Sequence, residues 1–267
     1  MIKQLLYCLI LLFGSFSTVK AQFNGFSQEI GIIAGPITFQ SDYGQRSNLA
    51  TTAGNTGLGI GIIHYLNFSY TTDCNCYTNN TYFNDHFKVR SELSYNKTEL
   101  QHFGKWVSSN KNSLTSRQLK AMRGSTALTN LGVQLEYFPL SIRDFSVSVG
   151  SLIPFIGFGT QFSFYTSKAS SSLGPLGTKL TTIPKYLTPS DGRTFGFSTE
   201  GKNVWSLVSN VGVRYKLAPL SDLMIDLRFQ YFFSNWVDGL NPNPELYPEN
   251  KANDGLIWIN LGYIYYL

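Results

Sequence analysis

Charge is scarce in this sequence. Lys, Arg, Asp and Glu together make up 14% of 267 residues, against about 25% in an ordinary soluble domain. A chain this poor in charge is badly equipped to cover a large water-facing surface. The 21 Lys and Arg exceed the 16 Asp and Glu only slightly, and no basic stripe forms, so nucleic acid is not expected as a partner. Cysteine occurs three times, too few for a disulfide-stapled scaffold. Three histidines leave little material for a metal or hydrolytic centre. Beyond Phe16 no apolar run approaches the ~18 residues of a membrane-crossing helix.

The first 21 residues read as an export signal. Lys3 supplies a positive start, Leu5 to Phe16 an apolar core too short to span a bilayer, and Val19-Lys20-Ala21 small residues at −3 and −1 of a cleavage site. Cys8 lies inside the apolar run with no small residue before it, which argues against a lipoprotein. The division expected is a signal peptide over 1–21 and one domain over 22–267, whose charge falls from +5 to +3 once Lys3 and Lys20 are removed.

What the sequence has in excess is aromatic residues, 15%, set in segments that alternate apolar and polar with period 2. Eight such segments can be traced. They run from about Ser27 to Phe39, Thr56 to Ser69, Phe83 to Glu99, Ala127 to Phe138, Phe145 to Tyr165, Val204 to Leu217, Leu223 to Phe233 and Ile257 to Leu267. In the fifth, Phe145, Val147 and Val149 have the opposite parity to Ile156, Phe158 and Phe162, which predicts a bulge or break near Gly150 to Pro154. Most segments reach the 9–11 residues of a tilted membrane strand, and their number is even. The fold expected is all-β: an eight-stranded antiparallel up-and-down transmembrane β-barrel of the outer-membrane type.

Connection lengths give an independent test. With the N-terminus in the periplasm, the odd connections (about 40–55, 100–126, 166–203 and 234–255) lie outside the cell and are long and polar. Two even ones, Pro139 to Asp144 and Ala218 to Asp222, are short, as periplasmic turns are. The third, "YTTDCNCYTNNTY" over 70–82, is longer than a turn. Trp106, Trp205, Trp236 and Trp258 fall at or beyond the outer ends, and Tyr137, Tyr215, Tyr263 and Tyr265 at the inner ends, as two aromatic girdles would. A soluble β-sandwich also alternates, but it would put the polar faces in water and needs more charge.

Several features invite chemistry and have plainer explanations. "GNTGLGIGIIH" places Gly57, Gly59 and Gly61 on one strand face and lacks the helix a phosphate loop requires; small residues there make room for large side chains inside a narrow barrel. His64 and His86 fall toward the inner ends of strands and His102 in an outer loop, a spacing that supports no catalytic triad, so no enzyme is expected. Cys74 and Cys76 have only Asp73 beside them as a further ligand, so neither a metal nor a cofactor is expected. The inward-parity charges form the most informative set: Glu29, Lys88, Arg90, Glu92, Glu136, Arg214, Asp226 and Arg228. Both signs are equally represented, and an eight-stranded barrel is only wide enough for side chains to fill it. A paired plug is expected, not a pore.

The stretches "QEIGIIAGPITFQSDYG", "GNTGLGIGIIHYLNFSYTTDCNCYTNNTYFNDHFKVRSELSYNKTELQHFG" and "GLIWINLGYIYYL" resemble the small outer-membrane β-barrel proteins of the PorG type, associated with the type IX secretion system. The resemblance runs through most of the mature chain and carries no catalytic motif. It implies a non-enzymatic barrel that anchors or stabilises a periplasmic ring of PorK/PorN (GldK/GldN) proteins in a secretion and gliding-motility apparatus. On that reading Asp73, Cys74, Cys76 and Tyr77 belong to a partner-contact segment on the periplasmic side. The alternatives are a free-standing OmpX-like barrel whose outer loops bind or shield the surface, and, third, a lipid A-modifying barrel. Outer-membrane lipid surrounds the chain in all three.

Overall fold

Period-2 alternation commits every strand to two different environments, and a sheet whose edges would otherwise stand open in lipid has to close on itself. The computed structural model of the chain, which describes residues 26–44, 48, 53–71, 81–250 and 252–267, shows that closure. Eight antiparallel strands pair in sequence order and the last pairs with the first. They are β1 (Phe26–Gln40), β2 (Thr56–Thr71), β3 (Phe87–Gln101), β4 (Met122–Tyr137), β5 (Leu152–Ser171), β6 (Gly201–Ala218), β7 (Ser221–Phe232) and β8 (Gly255–Tyr266). At the closing seam Ile30 pairs with Tyr265 and Ile37 with Trp258.

Both termini of the sheet lie at one end, where Leu267 N donates to Gln28 O at 2.9 Å. This terminal end carries the connections 72–86, 138–151 and 219–220; the opposite loop end carries 41–55, 102–121, 172–200 and 233–254. The loop end holds the longer excursions. They include α2 (Leu114–Ala121) and the single turn α4 (Pro184–Leu187), while α1 (Tyr82–His86) and α3 (Ile142–Val147) cover part of the terminal end.

The wall is inverted relative to a soluble protein. Leu58, Ile60 and Ile62 on β2, Leu131, Val133 and Leu135 on β4, and Leu223, Ile225 and Phe229 on β7 are exposed on the outside. The charged residues expected inside are fully buried there. A β-sandwich would place these faces the other way round. The outward apolar run from Leu223 to Phe233 covers roughly 33 Å of strand at ~3.3 Å per residue, or ~25 Å of height at the usual tilt, the thickness of a membrane barrel's apolar band.

Close packing inside explains the glycine stripe. Gly59 faces Trp258, and a Cβ there would lie 2.5 Å from the indole Cζ2; at Gly61 it would lie 2.8 Å from Ser94 Cβ. Small residues on β2 thus leave room for bulk contributed from across the lumen.

Several expectations change. Residues 83–86 are helical, not strand: Thr81 caps α1 by accepting from Asn84 N, and β3 begins at Phe87. Phe145 and Val147 belong to α3, so the parity change before β5 is a helix and not a bulge; Ser141 Oγ caps it, and Ile142 and Phe145 are its buried face. The connection around Pro139 to Asp144 is therefore part of a longer, structured segment over 138–151. Trp236, buried among the loop-end connections, does not join a girdle, and neither does Trp258. It is fully buried, because its parity on β8 is the inward one. Trp205 does face outward, packed on Phe162 at 5.0 Å, and Tyr215, Tyr263 and Tyr265 are exposed toward the terminal end.

Candidate functional site

The lumen is the first place to look, because the sequence puts charge there. All eight charged residues expected inside are fully buried and brought together. Lys88 Nζ reaches Glu29 at 2.5 Å, and Arg214 Nη1 reaches the other Glu29 oxygen at 2.8 Å. Arg90 branches to Glu92 at 2.8 Å and to Glu136 and Asp226, both at 3.2 Å. Arg228 grips Glu92 with both terminal guanidinium nitrogens, Nη1 and Nη2, at 2.5 and 2.6 Å. Arg214 also reaches Glu136 at 3.4 Å.

Two further charges complete the set. Lys216 and Asp222 pair at 3.1 Å, and Asp222 also lies 3.7 Å from Arg214. Lys216 shares the inward parity of Arg214 on β6, a signal visible in the sequence. Asp222 falls in the turn expected over Ala218 to Asp222, which the structure ends two residues earlier, so that β7 takes it up. With them the lumen holds five cations (Lys88, Arg90, Arg214, Lys216, Arg228) and five carboxylates (Glu29, Glu92, Glu136, Asp222, Asp226).

Neutral groups extend the network. Tyr65 Oη donates to Glu136 at 3.1 Å with the Arg214 guanidinium 4.1 Å from its ring centroid. Asn260 Nδ2 donates to Asp226 and Tyr266 Oη to Asp222, each at 2.7 Å. Buried ions are stable only when paired and hydrogen-bonded, since desolvation of a lone one costs several kcal/mol. Here every carboxylate of the set has at least two partners. Such an arrangement fixes strands β1, β3, β4, β6 and β7 against one another and fills the cross-section.

The loop end is closed as well. Val237 and Leu240, from connection 233–254, are fully buried, and Thr126 Oγ1 on β4 donates to Val237 O. Asp254 Oδ2 accepts from the backbone N–H of Val237 and Asp238 at 2.9 and 3.1 Å. Asp238 Oδ2 in turn accepts from Asp42 N at 2.6 Å. Trp236 Nε1 donates to Asp191 at 3.0 Å while Arg193 stacks on its ring at 3.9 Å. Three loops are thereby tied into one lid.

His102 sits under that lid, its ring 5.0 Å from Tyr43 and 6.4 Å from Tyr186. Its Nε2 is buried with no hydrogen-bond partner among the described residues. Burial, with Lys185 and Arg123 nearby, holds the imidazole down to about 3. A base for nucleophilic chemistry needs a nucleophile within hydrogen-bond reach, and the ring's neighbours are two tyrosine rings. His64 contacts Gln28 at 3.2 Å, and His86 stacks on Tyr82 at 3.9 Å in α1. The three histidines are not brought together.

The terminal end carries a different surface. Arg143 of α3 clamps it: its backbone N–H donates to Asp85 of α1 at 3.1 Å, and its Nε donates to Ser69 O on β2 at 3.1 Å. Phe26, Phe68, Phe83 and Phe87 form a chain of ring contacts of 5.3, 5.5 and 4.8 Å beside this clamp. Tyr82, Phe83, Leu140, Val147 and Leu220 remain exposed around it. Asp73, Cys74, Cys76 and Tyr77 belong to the connection leading into α1 and lie outside the described residues.

No protein-family model matches the sequence, and no curated protein matches it. Among solved structures, the chain is similar to a major outer membrane protein from Thermus thermophilus (13% identity, 90% of this chain and 99% of that one, TM-score 0.46). It is also similar to the neisserial surface protein NspA (12%, 89% and 96%, 0.43) and to the attachment invasion locus protein Ail of Yersinia pestis (10%, 92% and 100%, 0.39). Likeness at this level adds nothing to the strand pairing, which by itself makes the chain a closed eight-stranded antiparallel β-barrel.

Proposed function

We propose that this chain is an outer-membrane barrel, its terminal end in the periplasm and its long loops outside. In this reading it anchors or stabilises the periplasmic ring of a type IX secretion apparatus, built from proteins of the PorK/PorN (GldK/GldN) type. Its outward apolar band and inward charges support a place in the membrane, because an exposed apolar surface of this size in water would aggregate. The filled lumen moves the work to the two ends. The observation that carries the anchoring reading is the clamped terminal face: an Asp85–Arg143–Ser69 tie holding exposed Tyr82, Phe83 and Val147 next to the connection that contains Asp73, Cys74, Cys76 and Tyr77. The choice of partner rests on the sequence resemblance.

The test is affinity purification from mild detergent. Ring lipoproteins should co-purify with the native chain and be lost on exchange of residues 72–80 or on Val147→Glu, with the barrel still heat-modifiable on gels. A lone barrel, or full ring recovery with both variants, refutes the anchoring role. A free-standing OmpX-like barrel is the second reading, favoured by the lid: loops built only as spacers have no need of the Asp42–Asp238–Asp254 ties. It predicts specific binding on the cell surface and none in the periplasm.

A further inference from the structure

We propose that the outer wall of β3, β4 and β5, just above the apolar band at the loop end, is a binding site for the phosphorylated headgroup of an outer-leaflet lipid. The outward parity of these strands changes character there in a fixed sequence. Tyr95, Thr129 and Phe164 lie in one cross-strand row, and below them Leu93, Leu131 and Phe162 continue the lipid-facing surface. One row higher stands Lys97 with Ala127 and Thr166, the next holds Glu99, Ser125 and Lys168, and the last Gln101, Arg123 and Ser170. Rows are ~7 Å apart along a strand, so the cations begin where the hydrocarbon ends.

The wall is also concave at this level. A depression of about 800 Å³ is lined by Thr56, Glu99, Arg123, Ser125, Lys168 and Ser170. Leu100, Gly124 and Ala169, of inward parity, also line it, and Gly54 and Thr199 border it from the loops. Among the described residues no carboxylate pairs with Lys97, Arg123 or Lys168. Arg123 instead donates to the carbonyls of Lys120 and Met122, at 2.9 and 3.0 Å, which hold its guanidinium at the rim. The other side of the barrel differs: Tyr231 of β7, Phe233 just beyond it and Ile257 of β8 face outward at the loop end.

An unpaired cationic hollow placed directly over an apolar strip matches an amphiphile whose anionic head and acyl chains are joined end to end. Hydroxyls of Ser125 and Thr56 supply further donors to phosphate oxygens. Lipids are the molecules that occupy this position beside a barrel wall, and phosphorylated lipid A has the required sign of charge. The inference rests on the orientation adopted above, which puts this rim in the outer leaflet.

The experiment is native mass spectrometry of the detergent-purified barrel titrated with bis-phosphorylated lipid A in EDTA-containing buffer, against the same lipid stripped of phosphate. Each surface cation near an anionic headgroup is worth about a fivefold change in affinity. Arg123→Ala with Lys168→Ala should therefore weaken binding of the phosphorylated lipid by roughly 25-fold and leave the dephosphorylated lipid unaffected. Glu99→Gln should tighten it. Equal binding of the two lipids by the native chain, or an unchanged affinity in the double variant while it remains heat-modifiable, overturns the proposal. Orientation is read separately, from labelling of Ser109→Cys on intact cells with an impermeant maleimide. Failure there refutes the adopted topology, whereas failure of the titration refutes the site.

Discussion

Replacing Glu92 by Gln is the sharpest test of the lumen. Glu92 receives Arg228 through both terminal guanidinium nitrogens, at 2.5 and 2.6 Å, and Arg90 at 2.8 Å, with Gln161 Nε2 at 3.3 Å. Glutamine keeps the volume but removes the charge, and one of its two terminal atoms becomes a donor facing guanidinium donors. Arg228 has no other carboxylate among its ion pairs with the described residues, so it is left buried and uncompensated. Breaking a buried pair in this way costs about 3–5 kcal/mol. Arg90 loses less, because Glu136 and Asp226 remain. Removing the stranded cation as well, in Glu92→Gln with Arg228→Met, should restore part of the loss, with a coupling of at least ~1.5 kcal/mol between the two sites. The assay is guanidinium unfolding of the barrel in lipid vesicles, followed by tryptophan fluorescence and by gel mobility before and after heating. A single-variant loss below about 1 kcal/mol, or additive losses in the double variant, would mean that lumen water solvates these ions and that the plug does not hold the barrel together.

Three other outcomes are expected. Gly59→Val puts a Cβ within 2.5 Å of the Trp258 indole and should destabilise the barrel by about 1–3 kcal/mol, with Trp258→Leu recovering part of the loss in the same unfolding assay. Ile62→Lys, near the middle of the outward face of β2, should cost about 2–4 kcal/mol in vesicles and Leu58→Lys near the loop end about 0–1; equal costs would refute the depth assigned to the band. His102, held down to about 3 from 6.5 by burial and by Lys185 and Arg123, stays neutral in the folded chain while the unfolded chain takes up a proton. Its contribution is therefore complete above about pH 6.5 and is lost as pH falls toward 3. Loop-end proteolysis should accelerate at pH 4.5 relative to 7.5, and His102→Phe should reduce that difference.

The parts that could be read from the sequence are those fixed by strand period. Eight strands, their order and the charges facing inward all follow from which parity is apolar, and parity does not depend on distant contacts. Trp258 obeys the same rule against its own hydrophobicity: the unbroken odd-numbered apolar set of β8 assigns an even-numbered residue to the lumen. Helices α1 and α3 were not legible. Phe145, Val147 and Val149 fit an i, i+2, i+4 pattern, and six residues are too few to separate the two periods. Their helical form depends on the Ser141 cap and on the Arg143 contacts with Asp85 and Ser69, and the latter two partners are distant in sequence. The rim hollow was not legible for another reason. Glu99, Arg123 and Lys168 lie on three strands, and only the register sets them in adjacent rows around it.

Glu29 lies near the start of β1, at the seam where the barrel closes, and its carboxylate is held by Lys88 from β3 and Arg214 from β6. During biogenesis this has a consequence. The first strand carries an anion that lipid will not accept, and one of its two counterions arrives only after most of the chain has been delivered. Lys88 from β3 can meet Glu29 early, but the pair that closes the seam is complete only when Arg214 on β6 arrives, so a sheet halted after β5 leaves the carboxylate held on one side only.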